Sequence, residues 1–96
     1  MATKQLEWSR RSQRDRLKIV EFYAIEASPW VADEAARCIL NAALAALKRP
    51  LHYREGKLAG TREYVMRRFP YTLVFRVTPT KVRIVRVLHQ AAGYFN

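Results

Sequence analysis

Two runs near the end of the chain leave little freedom in how it folds. Tyr71-Thr72-Leu73-Val74-Phe75-Arg76-Val77 and Lys81-Val82-Arg83-Ile84-Val85-Arg86-Val87-Leu88-His89 alternate like strands and are rich in β-branched residues. Only Thr78-Pro79-Thr80 separates them, so they pair as an antiparallel hairpin. Arg62–Arg68 reads as a further strand. Pro70 falls between it and the hairpin, where its missing N–H costs little.

Such a sheet has a face to bury, and the residues that can cover it lie upstream. Leu6-Glu7-Trp8 is a short first strand, and Ser9 or Ser12 then caps a helix. Leu17, Val20, Tyr23 and Ala24 recur at helical spacing, with Ile19, Phe22 and Ile25 widening the stripe. Ser28-Pro29 stops this helix and starts a second, from about Trp30 to Lys48. Its stripe is Val31, Ala35, Ile39 (with Cys38), Ala42 and Ala46, and seven alanines between Ala32 and Ala46 favour helix and permit close packing. Pro50 ends it, and residues 50–60 read as a loop. Strand, helix, helix, three strands is satisfied by two helices on one face of an antiparallel sheet, an α+β domain over residues 1–96.

Charge is segregated along the chain. The formal net charge is +10, with nine basic and six acidic side chains in residues 1–49 and nine basic and two acidic, Glu55 and Glu63, in residues 50–96. After Glu63 come Arg67, Arg68, Arg76, Lys81, Arg83, Arg86 and His89, and no carboxylate. Solubility does not require such sorting, which points to an anionic partner: nucleic acid or an acidic segment of another protein. Cys38 is the only cysteine, which excludes an intramolecular disulfide and a cysteine-rich metal site. No signal-peptide core and no run of membrane-spanning length are present, so a cytoplasmic protein without a membrane partner is expected.

Three segments carry a family likeness: Gly60-Thr61-Arg62-Glu63-Tyr64-Val65, then Pro70 through Val77, then Val85-Arg86-Val87-Leu88-His89 with an aromatic at Tyr94. With the helical hairpin broken at Ser28-Pro29 and the proline after the second helix, the chain resembles RelE/ParE superfamily toxins of bacterial type II toxin–antitoxin systems over nearly its whole length. The resemblance implies the RelE/ParE toxin fold, no cofactor, and a cognate antitoxin that crosses the helical pair or covers the basic sheet face. RelE-like members cut mRNA in the ribosomal A site; ParE-like members poison DNA gyrase. The Arg62-Glu63 pair, the Leu88-His89 ending and the short tail look more ParE-like. The expected function is thus gyrase inhibition, with growth arrest and plasmid stabilisation. The alternatives are a metal-independent, ribosome-dependent mRNA endoribonuclease and a non-toxic basic nucleic-acid-binding domain.

Cleavage of RNA by its own 2′-hydroxyl needs a base, an acid and cations on the phosphate. The catalytic candidates for that chemistry are Arg67, Arg83, His89 and Tyr94, with Arg76 and Arg86 also able to bind phosphate. Arg62, Arg67, Arg76, Arg83, Arg86 and Trp30 are the candidates for contacting nucleic acid or a target protein. Each has a plainer reading. His89 is a packed strand end, Tyr94 an aromatic plug, Trp30 a staple between the helices, and Glu63 the partner of a neighbouring arginine. Arg10, Arg11, Arg14, Arg16 and Lys18 form a solvated face or a contact surface. Strict alternation places Arg83 with Val85, Val87 and His89, and Arg86 on the opposite face with Val82, Ile84 and Leu88, so only part of the arginine set can share a site. Ala92 stands where relatives often carry arginine, which weakens the nuclease reading.

Overall fold

The computed structural model describes residues 3–91. Helix α1 (Arg10–Glu26) starts at Ser9, whose Oγ accepts the Ser12 N–H at 3.0 Å. Helix α2 (Pro29–Lys48) starts the same way, with Ser28 Oγ accepting the Val31 N–H at 3.1 Å and Pro29 in its first turn. Ser28-Pro29 is therefore the turn of a helical hairpin. A short 3₁₀ turn, Pro50–His52, follows within the stretch expected to be loop.

Four strands form one sheet: β1 (Gln5–Trp8), β2 (Arg62–Val65), β3 (Tyr71–Val77) and β4 (Lys81–His89), in the order β1-β4-β3-β2. The expected antiparallel strands pair as β2–β3 and β3–β4. The N-terminal strand joins them, lying parallel to β4 with Leu6 opposite Val82 and Trp8 opposite Ile84. Strand β2 ends at Val65 rather than running to Arg68. The core forms where one sheet face meets the hairpin: Leu73, Phe75, Val82, Ile84 and Val87 close on Ile19, Ala35, Ile39, Ala42, Ala43 and Ala46. Small alanines bring the α2 backbone close to the sheet, so the interior fills with few side chains.

One irregularity decides the faces of β4. Val74 pairs with Arg86 while Phe75 pairs with Ile84, which leaves Val85 as a bulge. The start of α1 holds it. Ser9 N–H donates to the Ile84 carbonyl at 2.8 Å and Ser9 Oγ to the Val85 carbonyl at 2.9 Å. Asp15 accepts from Arg86 Nε at 2.8 Å, Arg86 Nη2 at 3.1 Å and the Val87 N–H at 2.9 Å. The extra residue reverses the alternation beyond it. Arg83 and Arg86 therefore lie on the same face, together with Arg76, contrary to the strict-alternation expectation.

Aromatic rings close the end of the sheet where β4 finishes. The Tyr71 ring lies 6.5 Å from Tyr23 and 5.2 Å from His89. Burial, with a contribution from Tyr23, pushes the Tyr71 hydroxyl from 10.0 up to about 12.

Two predictions follow from these contacts. Asp15→Ala strands the Arg86 guanidinium and the Val87 N–H, and should lower the urea-unfolding free energy by about 2–3 kcal/mol. Glu21→Ala, on the exposed side of the same helix, should change it by about 0.5 kcal/mol or less. The second concerns alkaline pH. Between the unfolded tyrosine value near 10 and the folded value of about 12, the folded state holds the Tyr71 proton that the unfolded chain has lost. Stability should therefore fall as pH rises through that window, and Tyr71→Phe should flatten the fall. Urea midpoints measured at a series of alkaline pH values test this.

Candidate functional site

Most of the sheet arginines are engaged by the protein's own groups. The Arg83 guanidinium is paired with Glu7, the residue opposite it on β1, and Lys81 Nζ reaches the same carboxylate at 2.7 Å. The Lys81 hydrogen bond, reinforced by the charges of Lys81 and Arg83, holds the Glu7 carboxyl below its ordinary value despite partial desolvation. Arg86 is held by Asp15, whose hydrogen bonds push the guanidinium above its ordinary value against the opposing effect of burial. Arg76 Nη1 donates to the Ala59 carbonyl at 3.0 Å. Arg62 lies on the core-facing side of β2, opposite Phe75, and donates to the Tyr53 carbonyl at 2.8 Å.

Around β2 the pattern repeats. Glu63 is buried and accepts from Arg54 Nε at 3.1 Å and Nη2 at 3.0 Å, so its role is the salt bridge weighed in the sequence, with Arg54 as partner. Arg68 pairs with Glu34 at 2.7 Å, and Glu34 also meets Arg37 at 2.8 Å. Arg67 is exposed, makes no ion pair among the described residues and lines a cleft of about 560 Å³ between α2 and β2 with Cys38, Asn41, His52, Tyr53 and Tyr64.

Arg83 does not meet the other described catalytic candidates. Arg83 faces away from the core near the start of β4. His89 lies on the core-facing side at its end, opposite Tyr71. Six residues separate the two along the strand, roughly 20 Å at about 3.3 Å per residue. His89 Nδ1 accepts the Ala91 N–H at 3.0 Å, so the strand-end reading describes its contacts. Arg67 follows β2, at the sheet end shared with His89 and remote from Arg83. Tyr94 lies outside the described residues. Among the described residues no group of three or more His, Cys, Asp and Glu side chains comes together for a metal, and no helix is long and apolar enough to cross a membrane.

Free positive charge sits instead on the helical hairpin. Arg10, Arg11, Arg14 and Lys18 are exposed on α1 and make no ion pair among the described residues. Arg16 differs, its guanidinium stacking 3.9 Å from the centre of the Trp8 ring, and burial lowers its pKa. Beside these cations, Leu17 and Val20 of α1 and Ala36 and Ile39 of α2 line a groove of about 290 Å³. Leu40 and Leu44 stand exposed on α2. Trp30, at the hairpin turn, is 63% exposed. Sequence reasoning singled out the cations and Trp30 but passed over the groove. Leu17 and Val20, part of the α1 stripe, were its signal.

Residues 6–94 match the family described as the ParE toxin of the parDE type II toxin–antitoxin system. No individual curated protein sequence matches the chain. Among solved structures, the chromosomal ParDE system from P. aeruginosa is similar, with a TM-score of 0.82, 21% identity and coverage of 91% of this chain and 96% of that one. The RelBE2 toxin–antitoxin complex from Mycobacterium tuberculosis gives a TM-score of 0.59 at 23% identity, covering 92% of this chain and 99% of that one. The E. coli DinJ–YafQ toxin–antitoxin complex gives 0.60 at 15%, covering 96% and 98%. With a family match spanning all the elements that build the sheet and the hairpin, this chain belongs to the ParE toxin family of type II toxin–antitoxin systems.

Proposed function

We propose that this toxin acts in the cytoplasm by binding and inhibiting DNA gyrase, without cutting RNA. The observation that carries this reading is the separation of Arg83 from His89. A phosphate in flight between oxygens needs its base, acid and cations within hydrogen-bond reach of one another. Arg83 and His89 lie on opposite faces and at opposite ends of β4. Arg83 and Arg86 are already matched by carboxylates, so an RNA phosphate would compete with Glu7 and Asp15 for them. A protein that acts by occupying a surface needs no such convergence.

The same reading includes a cognate antitoxin. Its acidic, amphipathic segment lies along the groove between α1 and α2, apolar residues on Leu17, Val20, Ala36 and Ile39 and carboxylates toward Arg10, Arg14 and Lys18. The groove joins apolar depth to unpaired cations, which the sheet face does not.

Regulated expression in a bacterium tests the target. Induction of the DNA-damage response with stalled gyrase complexes is expected; immediate translation arrest with codon-positioned mRNA ends would refute the reading. Arg83→Ala and His89→Ala should arrest growth within about threefold of the wild-type dose, as surface substitutions that shift free energies by about 0.5 kcal/mol or less do. For the antitoxin, Leu17→Asp should weaken binding to the product of the neighbouring antitoxin gene by at least about thirtyfold, the loss of one hot-spot anchor. Titration calorimetry measures that change, and growth arrest by the same variant should persist.

A further inference from the structure

Charge is sorted along the helical hairpin. Where α1 begins and α2 ends, Arg10, Arg11, Arg14, Lys48 and Arg49 are exposed, and none makes an ion pair among the described residues. At the turn the pattern inverts. No lysine or arginine occurs between Lys18 and Arg37. Glu21, Glu26 and Asp33 are exposed there, and none of them makes an ion pair among the described residues. Elsewhere Glu7, Asp15, Glu34 and Glu63 are all held by lysine or arginine. A protein of net charge +10 thus gathers most of its uncompensated carboxylates at one end.

The same end exposes large apolar side chains. Phe22 is 51% exposed, Trp30 63% and Ile25 80%. The core does not require them there, since the buried cluster closes without any of the three. Aromatic anchors within a polar rim are the composition of a binding hot spot.

We propose that this tip is the surface by which the toxin grips its cellular target, and that its occupant is a protein site with an apolar pocket and a basic rim. The inference rests on the toxin reading above and adds the contact through which it acts. Carboxylates around the tip repel phosphate, so nucleic acid is not the direct occupant. Proteins that handle nucleic acid carry cationic surfaces, which the acidic rim complements. The antitoxin segment placed in the groove is acidic and meets like charge at the tip. A second copy of the chain would have to dock its basic end here, a head-to-tail contact that does not close on itself and that the net charge opposes.

Two full-length variants test this beside the wild type. Ile25→Ser/Trp30→Ala removes the apolar anchors, and Glu21→Lys/Glu26→Lys/Asp33→Lys reverses the rim. Each should need at least about thirtyfold more toxin to arrest growth, corresponding to about 2 kcal/mol of lost binding. Cooperative urea unfolding should be retained, and affinity for the antitoxin should not fall. Arrest at the wild-type dose by either folded variant overturns the proposal. So does a parallel loss of antitoxin affinity, which would make the tip part of the antitoxin interface. Self-association of the wild type that both variants abolish overturns it too, by making a second copy the occupant. DNA-damage and mRNA readouts on the same cultures separate this proposal from gyrase inhibition. Wild-type arrest by mRNA cleavage with inactive variants refutes gyrase inhibition and supports the tip. Wild-type arrest through gyrase with fully active variants does the reverse, and a wild type that arrests nothing refutes both.

Discussion

Asp15 ties the beginning of this chain to its end. One carboxylate on the second turn of α1 accepts two guanidinium hydrogen bonds from Arg86 and one from the backbone of Val87. Its side chain is 14% exposed and that of Arg86 25%, so the pair is less screened than an ordinary surface ion pair. Just before it, Ser9 takes up the Ile84 and Val85 carbonyls that the bulge would otherwise leave unmatched. Helix start, bulge and strand are therefore one unit. From it follows the side on which each later residue of β4 emerges, with Val87 in the core and Arg86 away from it.

That geometry changes the meaning of the basic composition. Along the sequence, the last third is uniformly cationic. In space, acids from the first third lie against it: Glu7 on β1 meets Lys81 and Arg83, and Asp15 on α1 meets Arg86. The Glu7 pairs are the more exposed and add little to stability, typically about 0–1 kcal/mol each. They do reduce the field that an anion approaching the sheet would feel. Exposed cations that make no ion pair among the described residues then gather at the open end of the hairpin, and exposed carboxylates that make none gather near its turn. A single small domain thus carries opposite charge at the two ends of its helical hairpin.

Local signals in the sequence were read correctly because local physics fixes them. Ser28-Pro29 makes a helical boundary by capping and by proline geometry, and Thr78-Pro79-Thr80 leaves room only for a tight hairpin. The α+β order, with two helices on one sheet face, followed from the same residues. The bulge at Val85 was not legible, because alternation counts residues and one unpaired residue reverses every face beyond it. Long-range partners were equally hidden: nothing near Arg83 or Arg86 in sequence signals Glu7 or Asp15, more than seventy residues away. Of the candidate site, the arginines were identified as residues but not as already paired ones. Trp30 was identified, and it stands 63% exposed at the hairpin turn.

The relatives show how little of the chain this fold needs. TM-scores of 0.59 to 0.82 occur at identities of 15 to 23%, so very different sequences share this overall fold. In this chain the reason lies in the core. It needs small residues on one side of α2, an unbroken apolar centre in β3 and alternate apolar residues on β4. Many hydrophobic sequences meet that demand, because volume and pattern matter more than identity. The groove, the hairpin turn and the outward-facing arginines contribute little to that core. They can exchange partners without unfolding the domain, so fold alone does not dictate the target. Residues such as Trp30, Glu26 and Arg14 are exposed and lie outside the core's demands.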